Sequence, residues 1–285
     1  MIDYSKFVEN SRKWLKKYIQ DNHLQSIVIG VSGGIDSAVS CAIASPVCKE
    51  LGIPLIGRCL TCHSNNPEEN SSANLVGLAF CTDYKIISIE ELYSQIAHMF
   101  ELNEGKLTKL QLGNIKARLR MIYLRNLASV HKGVVLDNDN FTEWNLGFWT
   151  VGGDSPMDVN LGLHYLWKTE VYELANFLLE EQNQSDRYQA LLASTKLIPT
   201  DGNGVSKSDC EQFGLDNYEQ VDDVLQTMYY RSGFDQAFSP NEDQYIRLID
   251  EYNEQGVDKV MMLHQNTVYK RKELPIKPTR KELGL

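Results

Sequence analysis

The sequence predicts an α/β fold with an open, mainly parallel sheet that helices cover on both faces. Short β-branched segments alternate with segments of helical periodicity between residues 26 and 137. This alternation favours parallel strands joined by right-handed crossovers, because a helix carries the chain back to the starting edge of the sheet. Hydrophobic residues make up 42% and charged residues 23% of the 285 residues, ordinary globular proportions that argue against disorder and fibrous repeats.

The predicted elements follow in chain order. Apolar residues at helical spacing indicate an amphipathic helix over residues 4–20, and the run SIVIGV at 26–31 indicates the first strand. A glycine turn at 32–37 then leads into a second helix. We predict later strands at 53–60, 84–89 and 133–137, a helix that ends near Phe80, and a helix with a basic face over 113–130.

The pattern loosens after residue 150. Residues 151–162 and 199–209 are typical of loops, and residues 168–182 are typical of a helix. Two further helices are predicted near 218–230 and 241–255. Because no repeat or low-complexity linker marks a boundary, we expect a single domain over residues 1–285 whose C-terminal third is largely helical.

The chain is acidic, with 28 Lys and Arg against 38 Asp and Glu and a net charge of −10. This charge disfavours nucleic acid and anionic membrane surfaces as partners. No apolar stretch reaches the roughly 18 to 20 residues of a membrane span, and the first residues lack the apolar core of a signal peptide. We therefore expect a cytoplasmic protein whose six cysteines are reduced.

The strongest local signal is the motif SGGIDS at 32–37, between a strand and a helix. Its glycines permit a tight turn that brings successive N–H groups to phosphate oxygens, and the helix N-terminus adds a partial positive charge. Ser32 and Ser37 supply hydroxyl donors. No Gly-Lys-Ser/Thr follows, so the loop differs from that of phosphoryl-transfer enzymes. Asp36 beside a phosphate requires a cation such as Mg²⁺ between them, unless its carboxylate only caps the helix.

This motif resembles the pyrophosphate loop of the N-type ATP pyrophosphatases, which cleave ATP between the α and β phosphates. A second motif, GNIKARLRM at 113–121, is similar to the G-N-x-x-A-R-x-R-M helix of the ammonia-dependent NAD synthetase family, and the two motifs stand in that family's order. The resemblance extends over most of the chain and implies a fold like that of the adenine nucleotide alpha hydrolases. Further matching positions are Arg58, Glu143, Gly147, Gly153, Asp154, Asp158, Lys168, Pro199, Thr200, Lys270 and Arg271.

The resemblance implies ATP as a substrate and Mg²⁺ as its metal, with Asp36 and Lys168 as catalytic residues and Asp36 and Glu143 as metal ligands. It implies that ATP is bound by Ser32, Gly33, Gly34, Asp36, Ser37, Arg58, Lys168 and Thr200. It implies that deamido-NAD is bound by Arg118, Asp154, Asp158, Lys270 and Arg271. For Arg118 the alternative is a solvated helix face. The family also implies a homodimer, in which Tyr18 would reach the site of the second subunit.

The implied reaction has two steps. The nicotinate carboxylate attacks the α-phosphorus of ATP and expels pyrophosphate, and ammonia then attacks the acyl-adenylate and expels AMP. Only 31 residues precede Ser32, too few for a glutamine-hydrolysing amidase domain. We therefore expect free ammonia as the nitrogen source.

The sequence departs from the family's pattern in three places. Asp137–Asn138 replace Gly-Thr after the fourth strand and put an acidic side chain near the expected nucleotide, Val151 replaces a substrate-binding Lys, and Tyr269 replaces a His. Two alternatives therefore stay open: amidation of another carboxylate, with nicotinate mononucleotide the nearest, or a non-catalytic nucleotide-binding relative. The non-catalytic alternative is disfavoured by three retained residues, Asp36, Glu143 and Lys168.

Overall fold

The computed structural model describes residues 2–63, 65–182, 185–200, 206–229 and 240–272. Within them the strands are β1 (Ser26–Gly30), β2 (Leu55–Thr61), β3 (Asp83–Ser88), β4 (Gly133–Asp137) and β5 (Val159–Asn160). They form one sheet in the order β3-β2-β1-β4-β5, and every pair of neighbours is parallel. This arrangement confirms the predicted α/β class.

The strand order reverses next to β1. The chain runs outward through β2 and β3 and then returns to the other side of β1 for β4, so that Ile27 pairs with both Leu55 and Val134. The connection from β1 to β2 and the connection from β4 to β5 therefore leave the carboxyl ends of two adjacent strands in opposite directions. Such a switch point opens a crevice at this edge of the sheet, where ligands bind in open α/β folds.

Helices cover both faces of the sheet, as predicted. Ile27 and Ile29 of β1 point into one apolar layer, and the intervening Val28 points into the other, because side chains alternate along a strand. The helices are α1 (Tyr4–Asp21), α2 (Ile35–Leu51), α3 (Pro67–Phe80), α4 (Glu90–Glu104), α5 (Lys109–Val130), α6 (Phe141–Leu146), α7 (Lys168–Glu181), α8 (Asp186–Thr195), α9 (Asp209–Phe213), α10 (Tyr218–Tyr229), α11 (Glu242–Glu251) and α12 (Glu254–Asn266). The first layer receives α1, α2, α3, α7 and α8, and the second receives α5 with the inner side of α4.

The C-terminal helices pack around an apolar cluster of their own, centred on Phe213, Val221 and Leu248. Phe141 and Trp167, from the segments that flank the sheet's crevice, belong to the same cluster and join it to the rest of the fold. The described part of the C-terminal third is largely helical, whereas the organisation of residues 1–285 as a single domain stays a prediction.

Two predicted segments contain elements that the sequence pattern did not indicate. The loop predicted at 151–162 contains β5, a strand of two residues that is too short to leave a periodic signal. The helix predicted at 241–255 is divided into α11 and α12, since Asn253 caps the second helix by accepting the N–H of Gly256 at 2.7 Å.

Within the described residues, the helices are all too short or too polar to span a bilayer.

A candidate active site at the carboxyl ends of β1 and β4

A cavity of about 670 Å³ opens at the switch point of the sheet. Most of the site residues predicted from the sequence line it: Ser32, Gly34, Asp36, Ser37, Arg58, Arg118, Glu143, Asp154, Lys168, Thr200 and Lys270. Gly33, Asp158 and Arg271 do not line it. Residues from distant parts of the chain therefore meet where the topology predicts a ligand.

The glycine turn at 32–37 forms one wall of the cavity. Gly33 has φ of 91°, and a Cβ at this position would lie 2.2 Å from the carbonyl oxygen of Glu69. The hydroxyl groups of Ser32 and Ser37 lie 3.1 Å apart, and Ser32 Oγ accepts the N–H of Gly34 at 3.2 Å. The turn leads directly into α2, so its N–H groups and the positive end of a long helix face the cavity. This geometry suits a phosphate or pyrophosphate group.

We expect Gly33→Ala to lose ATP binding, because the new Cβ meets both a backbone oxygen and an unfavourable φ. Gly52→Ala is the matched control, since Gly52 also has a positive φ, 67°, but has open space around its Cβ. The control should lose only about 1 kcal/mol of unfolding free energy and keep its affinity for ATP in calorimetric titration. Equal ATP affinity in the two variants would contradict the role given to the turn.

Three charged groups meet in the cavity, a buried Lys168 and the partly buried Asp36 and Glu143. Lys168, which is 3% exposed, places its Nζ 2.5 Å from Asp36 Oδ2 and 3.0 Å from Glu143 Oε1. Burial alone would lower the pKa of Lys168, but the two carboxylates raise it well above its usual value. Burial raises the pKa of Glu143 to about 7, although Lys168 opposes this shift. We call Asp36, Glu143 and Lys168 the ion cluster.

Asp36 does not cap α2, because Gly34 occupies the N-cap position and the Asp36 carboxylate bonds to other elements. Besides Lys168, it accepts the side-chain amide of Asn140 at 2.9 Å. Asn140 in turn forms a capping box with Glu143, in which each side chain accepts the backbone N–H of the other residue at 3.0 and 3.3 Å. Asn140 therefore holds both carboxylates of the ion cluster.

The two carboxylates fit a magnesium ion. Both converge on the position of a single cationic group, the Lys168 ammonium, and Mg²⁺ prefers carboxylate oxygens together with oxygens of a bound phosphate. Asp36 also lies beside the pyrophosphate-type turn, where a bound anion would supply such oxygens. A second group of possible ligand atoms, on Asp137, Asp139 and His164, lies within 4.8 Å of one another.

Comparison with known proteins identifies the family. A model of the family described as NAD synthase matches residues 7–274. The chain belongs to the NAD synthase family. It is 30% identical over 224 residues to the NH(3)-dependent NAD(+) synthetase of Finegoldia magna, an alignment that covers 79% of this chain and 85% of that relative.

Solved structures show the same fold. An NMN synthetase from Francisella tularensis has a TM-score of 0.76 at 23% identity, covering 98% of this chain and 100% of that chain. An NH3-dependent NAD synthetase from Campylobacter jejuni has a TM-score of 0.67 at 21% identity, covering 97% of this chain and 100% of that chain.

Several cations predicted from the family's pattern already have protein partners. Arg58 is 3% exposed and donates to Asp83 Oδ2 at 2.8 Å, on the neighbouring strand β3. Arg118 Nε donates to the carbonyl of Val151 at 3.3 Å at the open side of the cavity. The Nζ of Lys270 donates to the carbonyl of Gly147 at 2.6 Å. An ATP contact for Arg58 stays a prediction.

Two predicted substrate contacts lie outside the cavity. Asp158 Oδ1 accepts from Arg125 at 2.6 Å, and its Oδ2 accepts the N–H of Val135 at 2.9 Å. Arg271 donates to the carbonyl groups of Asn145 and His264, each at 2.6 Å. These bonds hold both side chains against neighbouring parts of the protein and away from the cavity lining. The substrate contacts of Asp158 and Arg271 therefore stay predictions that their positions do not support.

The remaining predicted residues lie as follows. Asp154 lines the cavity, accepts the N–H of Thr150 at 2.6 Å, and has its pKa raised by burial. Thr200 lines it as well and donates a hydroxyl hydrogen bond to Glu69. Tyr18 is stacked on Trp14 at 5.2 Å and does not line the cavity, so its contact with a second subunit stays a prediction.

Asp137, which departs from the family's pattern, bonds to the segment 155–160. Its Oδ1 accepts the N–H of Asp139 at 2.9 Å and the amide of Asn160 at 3.3 Å, and its Oδ2 accepts from Met157 N at 2.7 Å and Ser155 Oγ at 3.1 Å. An acidic side chain beside the nucleotide at Asp137 stays a prediction that its placement does not support, because the carboxylate turns into the 155–160 segment and does not line the cavity. Asn138, Val151 and Tyr269 do line it.

Sequence reasoning missed Asn140 as a functional residue. The spacing Asn-x-x-Glu at 140–143 was available as a signal, since it is the pattern of a capping box. It predicts the bond to Glu143 but not the bond to Asp36, which lies 104 positions away in the chain.

Proposed function

We propose that this chain makes NAD from deamido-NAD, ATP and ammonia, releasing AMP and pyrophosphate. The observation that carries the proposal is the ion cluster at the end of the pyrophosphate-type turn, within a cavity of about 670 Å³ that is large enough for nucleotides. The 30% identical relative from Finegoldia magna is an NH(3)-dependent NAD(+) synthetase, which supports the same reaction.

The chain's own groups account for the first step by electrostatics and positioning. The N–H groups of the turn and the helix dipole of α2 bind the departing pyrophosphate, whose negative charge grows as the α-phosphorus is attacked. Lys168 stays protonated because its pKa is raised by its two carboxylate partners, so its ammonium can stabilise the same charge. Mg²⁺ held by Asp36 and Glu143 would supply further charge neutralisation on the phosphate oxygens. No covalent enzyme intermediate is needed.

The test is AMP release by the purified protein with ATP, Mg²⁺ and ammonium, comparing deamido-NAD, nicotinate mononucleotide and no acceptor. We expect release that depends on deamido-NAD and yields NAD. If AMP release depends instead on the mononucleotide, that compound replaces deamido-NAD as the proposed substrate. No AMP release with either acceptor, in a protein that binds ATP, would refute the proposal.

Nicotinate mononucleotide is the second candidate substrate. The specific observation in its favour is Val151, an apolar residue that lines the cavity where the family's pattern has a substrate-binding Lys. The loss of this cation removes one contact for a dinucleotide substrate with two phosphates. The substitution Val151→Lys tests this role of position 151, because it should lower KM for deamido-NAD more than KM for the mononucleotide.

We expect Glu143→Gln to raise the Mg²⁺ concentration needed for half-maximal AMP formation, because a neutral amide binds Mg²⁺ more weakly than a carboxylate. Gln keeps the length of the side chain and can still accept the N–H of Asn140. Glu50→Gln is the control, since Glu50 is an exposed partner of Lys16. An unchanged Mg²⁺ dependence in Glu143→Gln would count against Glu143 as a ligand.

We also infer a cytoplasmic homodimer. The supporting observation is a set of exposed apolar side chains on α4 and α5, namely Met99, Phe100, Leu102, Leu110 and Ile122, of which Leu102 is 71% exposed. Large exposed apolar groups of this kind mark interaction surfaces. Light scattering after gel filtration should give twice the mass of 32.5 kDa, and Leu102→Glu should shift it towards the monomer. A wild-type monomer would contradict the inference.

A further inference from the structure

A carboxylate from the C-terminal helices reaches the two elements that carry the ion cluster. Asp222 of α10 is 1% exposed. Its Oδ1 accepts the hydroxyl of Thr142 at 2.5 Å, and its Oδ2 accepts the N–H of Thr169 at 2.9 Å and the Thr169 hydroxyl at 2.8 Å. Thr142 directly precedes Glu143, and Thr169 directly follows Lys168. Asp222 thus bonds to the chain neighbours of both Glu143 and Lys168.

Thr142 closes this network from the other side. Its hydroxyl gives its single proton to Asp222, so its lone pairs face the backbone N–H of Lys168, which donates to it at 2.8 Å. The short helix α6 and the start of α7 are therefore tied through one hydroxyl. Any rotation of Asp222 would move both elements.

The start of α7 depends on the same carboxylate. The first N–H groups of a helix have no partner within the helix, and Trp167 at the N-cap position has no side-chain oxygen to accept one. Asp222 accepts one of these N–H groups from a different helix and adds a negative charge at the positive end of α7. The backbone of Lys168 is fixed by this bond and by the one to Thr142.

We propose that Asp222 is a positioning residue of the reaction, which fixes the separation between Glu143 and Lys168. The proposal rests on the proposed function, because the reaction rate is its main readout. Asp222 touches no cavity-lining atom of the ion cluster itself and acts through Thr142 and Thr169.

The hydrogen bonds of Asp222 act against the effect of its burial. Burial raises its pKa from 3.8 to about 6, although the hydroxyl and N–H donors oppose this. When the folded pKa of an acid exceeds its unfolded pKa, the protein loses stability as pH rises between the two values. Above about pH 6 Asp222 is ionised, and its carboxylate accepts the hydrogen bonds to the two elements that carry the ion cluster.

The test compares Asp222→Asn with Asp223→Asn. Asn has the shape of Asp, but its NH2 group is a donor. It would face another donor, either the Thr169 N–H or the Thr142 hydroxyl. Asp223 is the next residue of the same helix, and its carboxylate pairs with Arg247 at 2.9 Å and with the Tyr252 hydroxyl at 3.0 Å, away from the cavity.

At pH 8 we expect Asp222→Asn to lower kcat about tenfold or more and to lower the urea midpoint, because its amide leaves a buried donor without an acceptor. Asp223→Asn should keep kcat and lower the urea midpoint. Calorimetric titration with ATP and Mg²⁺ compares the variants without turnover. Asp222→Asn should bind ATP several-fold more weakly than the wild type, whereas Asp223→Asn should keep the wild-type affinity. An inactive wild type would refute the proposed function and leave this binding comparison to decide the role of Asp222.

Wild-type kcat and binding in a folded Asp222→Asn protein would overturn the proposal. If Asp222→Asn does not fold, Thr142→Val decides, because it removes the central hydroxyl at nearly the same volume and leaves Asp222 bonded to Thr169. A folded Thr142→Val protein with wild-type kcat and binding would overturn the proposal as well.

Discussion

Asp36→Asn should reduce AMP formation about a hundredfold or more, the loss typical of removing one charged group that stabilises a transition state. Asp36 combines three functions that depend on its charge: it pairs with Lys168 at 2.5 Å, accepts from Asn140 at 2.9 Å, and offers an oxygen ligand beside the turn. The amide keeps the shape but removes the charge. Lys168 retains Glu143 as a partner, so the fold should persist.

The measurement is AMP and pyrophosphate release with circular dichroism as the check on folding. Asp21→Asn is the matched control, since it removes an equal charge from an exposed pair with Lys17 on α1. The control should keep wild-type rates, because exposed pairs contribute less than about 1 kcal/mol. Turnover at the wild-type rate in Asp36→Asn would remove Asp36 from the mechanism.

The crevice was predictable from the sequence because local rules decide it. The β-branched run at 26–31, the glycines at 32–37 and the helical period after them each have a short-range cause, namely strand propensity, backbone freedom and side-chain periodicity. The strand at 133–137 is confirmed at its predicted bounds. From these elements the switch point follows through topology rules that hold for parallel sheets in general.

The partners of buried charges could not be read from the sequence. Arg58 matched an ATP-binding position, yet the register between β2 and β3 sets it beside Asp83, 25 positions further along the chain. Asp222 carried no signal either, because YEQVDDVLQ reads as an amphipathic helix in which two adjacent acids look alike. The fold buries Asp222 and leaves Asp223 partly exposed, and only tertiary packing decides which of the two turns inward.

Lys168→Met should abolish turnover and change how stability depends on pH. Lys168 is the buried cation shared by Asp36 and Glu143, so its removal leaves two partly buried carboxylates without this counter-charge. Removing one member of a buried ion pair typically costs about 3 to 5 kcal/mol of unfolding free energy. Lys17→Met is the control, because Lys17 has only the exposed Asp21 as its ion-pair partner among the described residues.

The sign of the pH effect follows from Glu143. Its pKa is already raised to about 7 by burial while Lys168 lowers it, so loss of Lys168 must raise it further. An acid with a raised folded pKa binds a proton in the native state that the unfolded chain releases, so its contribution to stability falls as pH rises towards the folded pKa. Urea unfolding with EDTA present should therefore show Lys168→Met still losing stability above about pH 7, where the contribution of Glu143 in the wild type has levelled off. Parallel pH profiles for the two proteins would mean that Glu143 does not depend on Lys168 for its charge, and the ion cluster would lose its electrostatic basis.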